Sequence, residues 1–225
     1  KEKGKIEFQL KCQNPFVITM YHVDDYPAGD GKLGPINKKP YNPNGDFGSP
    51  VGWNMYHGKD VPGFPAHPHR GFETITVVLQ GTVDHTDGLD SSGRYADGDV
   101  QWMTAGKGLQ HAEMFPLVNT EGNNTLELFQ IWLSLYGENR MSEPDYKMLW
   151  NEDIPKVELL DKDGKRTNVT VVAGQVDGKQ APSPTQHSWA NDPKNNLSIH
   201  VIEMEPGATY TIFGVSQTLN RSIYF

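Results

Sequence analysis

The 225-residue chain carries 28 Asp and Glu against 20 Lys and Arg, a formal charge of -8 with the histidines neutral. That balance argues against a protein drawn to phosphate backbones by overall attraction, so no direct nucleic-acid contact is expected. A single cysteine, Cys12, excludes an internal disulfide and any cysteine-based zinc site, so a bound metal must be held by histidine and carboxylate.

The segment Lys1 to Gln13 has charges where a signal peptide needs its apolar stretch, and no later run is long and apolar enough to span a membrane. A cytoplasmic protein without a membrane association is expected. Residues 21–66 are rich in Gly, Pro, Asn and Asp and read as a long irregular excursion that covers or lines something. After it, "TITVVLQGTVDH" (Thr74 to His85) is β-branched, and "GRYADGDVQWMTAGKG" (Gly93 to Gly108) reads as turn, short strand and turn, with Asp97 and Gly98 making the bend. Further strands are expected in "LELFQIWLSL" (Leu126 to Leu135), "NVTVVAGQV" (Asn168 to Val176), "LSIHVIEM" (Leu197 to Met204) and "TYTIFGV" (Thr209 to Val215). No long segment shows a capped 3.6-residue period, so helix should be minor and the fold all-β, a sandwich or barrel. A break near "SEPDYKML" (Ser142 to Leu149) divides residues 1–150 from a second all-β unit over 151–225.

The chemistry concentrates in two short pairs. "HPH" places His67 and His69 one residue apart, and "LQHAEM" places His111 and Glu113 at the same spacing. Side chains two apart on a strand share a face, so each pair can point one way, and two neighbouring strands can bring the pairs together. Proline cannot donate to a ladder, so His67 belongs at a strand entrance or edge with the regular strand starting near His69. An isolated His-x-His is common and a lone histidine is more often hydrogen-bonded in a core or on a surface, but two matched pairs in a β setting point to a metal. Three imidazoles and one carboxylate suit Fe, Mn, Co, Ni or Zn and leave coordination positions open if the ion is octahedral. Glu73, four residues after His69 and of the same parity, competes with Glu113 for the carboxylate role; the other would orient a histidine through its free N–H. His22, His57, His187 and His200 lack same-face partners at ligand spacing. His85 lies sixteen residues beyond His69, about 50 Å along an extended strand, and is expected to be far from the site.

The string "HPHRGFETITVVLQGTVDHTDGLDSSGRYADGDVQWMTAGKGLQHAEM" (His67 to Met114) closely resembles the signature block of the pirins, members of the cupin superfamily. The following "LELFQIWLSL", "RMSEPDYKML" and Ile154-Pro155 match the same pattern, so that the resemblance runs over roughly residues 47–180. It implies a bicupin, two β-barrel or jelly-roll domains, with one metal ion, most often Fe(II), in the N-terminal domain. It places the ligands on His67, His69, His111 and Glu113, which favours Glu113 over Glu73. The second barrel is expected to be free of metal ligands and incomplete in this chain, and to be completed by a partner chain or by strand exchange. The stretch Asp24 to Pro50 departs from the family's usual entry into the fold and leaves the pocket wall poorly defined.

The resemblance also implies quercetin 2,3-dioxygenase activity, in which a flavonol and O2 meet at an open metal position and ring cleavage releases CO. Glu113 would then serve as ligand and proton acceptor, with Phe47, Phe64, Met103 and Phe115 as apolar pocket walls. The competing reading is a metal- and redox-dependent regulatory protein acting through protein partners, with oligomerisation open to it.

Overall fold

The computed structural model of the chain describes residues 9–37, 53–54, 58–216 and 218–225. In chain order the strands are β1 (Gln9–Leu10), β2 (Phe16–Tyr26), β3 (Gly63–His69), β4 (Phe72–Gln80), β5 (Thr82–Asp87), β6 (Ser92–Ala96), β7 (Val100–Thr104), β8 (Leu109–Met114), β9 (Asn124–Ser134) and β10 (Asp145–Leu149). They are followed by β11 (Lys156–Leu160), β12 (Arg166–Ala173), β13 (Gln175–Val176), β14 (Lys179–Gln180) and β15 (Ile199–Met204). Helix is limited to short 3-10 turns at Gly137–Met141, Trp189–Asn191 and Pro193–Asn195 among the described residues, and no helix there is long and apolar enough to cross a membrane.

Strands β1 to β10 form two antiparallel sheets. One has six strands in the order β1-β2-β9-β4-β7-β10, the other four in the order β3-β8-β5-β6. They face each other across a core of Tyr26, Val78, Val83, Tyr95, Phe115, Leu117, Leu126 and Leu128, to which both sheets contribute. Alternation places Thr74, Thr76 and Val78 of β4 toward this interior and Glu73, Ile75 and Val77 on the opposite face. This is the all-β, jelly-roll class of architecture that the resemblance implied.

On that opposite face, Ile75, Val77, Val100, Trp102, Ile131 and Leu133 form one apolar cluster with Ile154, Val172 and Ala173, joined by Trp189, Leu197 and Ile199. The later strands β11, β12 and β15 make a three-stranded sheet, with β13 and β14 as a two-stranded ribbon, around a smaller core of Val157, Val169, Val171, Val176 and Ala181.

Three expectations change. The irregular excursion starts after Tyr26 rather than at residue 21, because "FVITMYHVDDY" is strand β2; its inward positions are the polar His22, Asp24 and the phenol Tyr26, which hid the apolar alternation. The run Thr74 to His85 is two strands: the chain turns at Gly81 (φ +93°) and passes from the six-stranded sheet to the four-stranded one. "TYTIFGV" forms no strand, since no sheet neighbour pairs with its backbone and Phe213 stands 87% exposed.

Candidate metal centre

The two chemistry-bearing pairs lie on adjacent strands. Antiparallel pairing of β3 with β8 sets His67 directly across from His111 and His69 across from Leu109, with a register irregularity between Phe64 and His67. The ladder is regular from His67 to His69, and β3 ends at His69 rather than starting there as the proline suggested; Pro68 is tolerated because β3 is the edge strand of its sheet. Ring centroids are 4.5 Å apart for His67 and His111, 4.8 Å for His67 and His69, and 4.9 Å for His69 and His111. One nitrogen from each of the three rings lies within 4.8 Å of the others. His69 and His111 are buried, while His67 is half-buried at the rim.

Burial, reinforced by the neighbouring rings, pulls His69 and His111 down to about 3, so both imidazoles are neutral near pH 7 and carry a free lone pair. His67 Nδ1 lies 2.9 Å from the Pro65 carbonyl, which can only accept; Nδ1 therefore carries the proton and Nε2 the lone pair. The Nε2 atoms of His69 and His111 are buried without a hydrogen-bond partner. Leaving such atoms unmatched costs about 1–3 kcal/mol each, which a cation placed between them removes. Neutral, convergent, unpartnered nitrogens fit a borderline divalent ion.

Glu113 is buried, with Oε2 4.0 Å from His111 Nε2. Its other oxygen, Oε1, faces the hydroxyls of Thr76 at 3.3 Å and Tyr95 at 3.5 Å. Those two hydroxyls are shared with Gln130 Oε1 at 2.5 Å and Gln101 Oε1 at 3.1 Å. Burial pushes the Glu113 carboxyl up from its usual range, against the opposing pull of His67 and His85.

Glu73 sits elsewhere. Gly71 (φ +80°) turns the chain between β3 and β4 and resets the pleat, so parity counted from His69 does not carry across, and Glu73 faces away from the histidines. Its carboxylate accepts from Trp102 Nε1 at 2.9 Å, Thr104 Oγ1 at 3.1 Å, Trp189 N at 3.1 Å and Ser188 Oγ at 3.2 Å. Of the apolar walls expected, Phe64 lies 6.1 Å from His67 and 6.2 Å from Phe115, ring to ring. Met103 packs with Ala105 and Leu109, and Phe47 and His57 lie outside the described residues.

His85 corrects an expectation. Once the chain has turned at Gly81, β5 pairs with β8, with His85 across from Glu113 and Asp87 across from His111. His85 Nδ1 is 3.3 Å from His111 Nδ1, and its Nε2 is 3.2 Å from Asp87 Oδ2. A Tyr146 ring stacks on it at 4.7 Å and 18°. The linear distance concealed this, although the glycine at 81 was a visible turn signal. His22 also has a partner that the spacing argument overlooked: it pairs with Asp24 two residues on, both buried, while Tyr26 and Asn54 reach the same carboxylate.

Comparison with known proteins agrees with this layout. The family model for pirin matches residues 46–133. A pirin-like protein of Solanum lycopersicum is 46% identical over 119 residues, 53% of this chain and 38% of its own length. Pirin-like protein 2 of Arabidopsis thaliana is 45% identical over 124 residues, 55% of this chain and 35% of its own. Both matches thus take in less than half of the relative's length. The crystal structure of quercetin 2,3-dioxygenase from Acinetobacter baumannii superimposes with a TM-score of 0.56 at 28% identity, covering 76% of this chain and 49% of that one. The stretch that holds the three clustered histidines and Glu113 therefore lies inside residues 46–133, the part of the chain that matches the pirin family model.

Proposed function

We propose that His67, His69, His111 and Glu113 hold one divalent metal ion, iron(II) in the first place, and that the loaded protein cleaves a flavonol such as quercetin with O2, releasing CO. The convergence of three imidazoles, two of them neutral and buried with unpartnered Nε2 atoms, carries the metal part of this reading. The likeness to the Acinetobacter structure named as a quercetin 2,3-dioxygenase supports the reaction.

When bound, the metal supplies Lewis acidity and a path for electrons to O2. The chain's own residues do the rest. Glu113 is a buried carboxylate of raised proton affinity, suited to take the proton of the flavonol's 3-hydroxyl, and Thr76 and Tyr95 hold its Oε1 so that Oε2 faces the histidines. Phe64, packed between His67 and Phe115, gives a flat aromatic substrate an apolar surface and keeps water from the reacting ring. His67, the most open of the three histidines, marks the side from which a ligand enters.

The test is metal analysis of protein purified without added metal, then CO release from quercetin under O2 by iron(II)-loaded protein. About one equivalent of metal and catalytic CO are expected. The His69→Ala variant should lose the metal and fall to the rate of free iron with the flavonol. Metal retained by that variant overturns the site; metal-loaded wild type that releases no CO overturns the dioxygenase.

A further inference from the structure

We infer that Asp87 and His85 are positioning residues for His111, setting in series the tautomers that leave the His111 Nε2 lone pair facing the other two histidines. This rests on the proposed metal centre and extends it to two residues that touch no ligand position themselves.

To bind a cation through Nε2, His111 must keep its proton on Nδ1. That proton points at His85 Nδ1, 3.3 Å away, which must then be an acceptor. A neutral His85 that accepts at Nδ1 carries its own proton on Nε2, and Nε2 lies 3.2 Å from Asp87 Oδ2, an oxygen that can only accept while ionised. Given a cation at His111 Nε2, each step follows from the one before, and the carboxylate at the end accepts the last proton of the series. The surroundings keep the three groups in line. The Tyr146 ring lies against His85 at 18°, fixing the imidazole plane. Asp87 Oδ1 accepts the backbone N–H of Leu89 at 2.9 Å and of Ser91 at 3.1 Å, which leaves Oδ2 for His85. His85 and the Asp87 side chain are both buried, so water does not supply a competing donor. His67 reaches the same end by a shorter route, through the Pro65 carbonyl.

The sharpest perturbation is Asp87→Asn. The two turn N–H groups require an oxygen, so the amide oxygen takes the Oδ1 place and its NH2 faces His85. His85 Nε2 must then accept, its proton moves to Nδ1, and His111 is driven to the tautomer with the proton on Nε2, where a cation should sit. In apo-protein with 15N-labelled histidine, long-range 1H–15N correlations should show wild-type His85 protonated at Nε2 and His111 at Nδ1, with both reversed in Asp87→Asn. Zinc(II) affinity, measured by competition with a chromophoric chelator, should fall about 10- to 100-fold. His85→Gln retains an acceptor and a donor and should stay near wild type in zinc affinity, whereas His85→Leu should fall like Asp87→Asn; this pair decides the matter if the Asn variant folds poorly. An Nε2–H His111 in the wild type, unchanged tautomers in Asp87→Asn, or equal zinc affinity for the Gln and Leu variants would overturn the inference. Wild type with the expected tautomers but no zinc binding would instead sink the metal centre and leave the tautomer relay standing.

Discussion

Glu73 collects donors from two directions: Trp102 and Thr104 from its own sheet, and Ser188 and the Trp189 backbone from the segment that leads into the 3-10 turn Trp189–Asn191. Burial pushes its carboxyl up while these hydrogen bonds pull the other way, so its role is to satisfy buried donors at a junction. Glu73→Ala should therefore lower stability by about 2–3 kcal/mol, or roughly 4–12 °C in Tm, by leaving those donors unmatched. The same variant should leave zinc affinity unchanged; a large loss of zinc would return Glu73 to the ligand set. Side-chain spacing alone could not separate Glu73 from Glu113, because the Gly71 turn breaks the parity on which the comparison depends. The His67, His69 and His111 cluster was legible in sequence because a strand repeats every two residues and both pairs sit within single strands. His85 was not, because its neighbour is set by which strand pairs with β8, a long-range choice that local pattern does not encode.

At the scale of elements, the site depends on how closely β3 lies against β8. Gly63 (φ +123°) begins β3, and a Cβ there would come within 2.3 Å of the Glu113 carbonyl and 2.6 Å of Met114 Cα. Both are backbone atoms, so the strands themselves must separate. Gly63→Ala should thus cost about 1–3 kcal/mol and weaken zinc binding as well, since the strand it displaces carries His67 and His69. Circular dichroism melting and the chelator titration would check the two effects; normal affinity would show that the strands can part at Gly63 without moving the histidines. The strands β4, β9, β12 and β15 were readable from β-branched runs and alternation, and the Asp97-Gly98 bend from its residues. Strand β2 was not, because an interior that accommodates polar side chains does not advertise itself through hydropathy.

For the whole molecule, pH offers a handle away from the histidine cluster. His200 on β15 is held below its usual proton affinity by burial, with a Nε2 that has no hydrogen-bond partner. A folded-state value below that of the unfolded chain means the unfolded state binds the proton more readily, so its contribution is complete above about pH 6.5 and is lost as pH falls through that value. The Tm of wild type should drop between about pH 7.5 and about pH 5.5, and His200→Gln should drop less over the same range. Equal slopes for the two proteins would show that His200 is not among the groups responsible.

The apolar cluster that joins Ile75, Val77, Trp102 and Leu133 to Val172 and Ala173 carries a practical consequence. The segment matched to the pirin family ends at residue 133, yet the roof over the back of its own sheet is sewn from sequence beyond it. Trimming the chain to residues 46–133 would bare a greasy wall, and such a fragment should stick to itself and light up hydrophobic dyes even with His67, His69 and His111 in place.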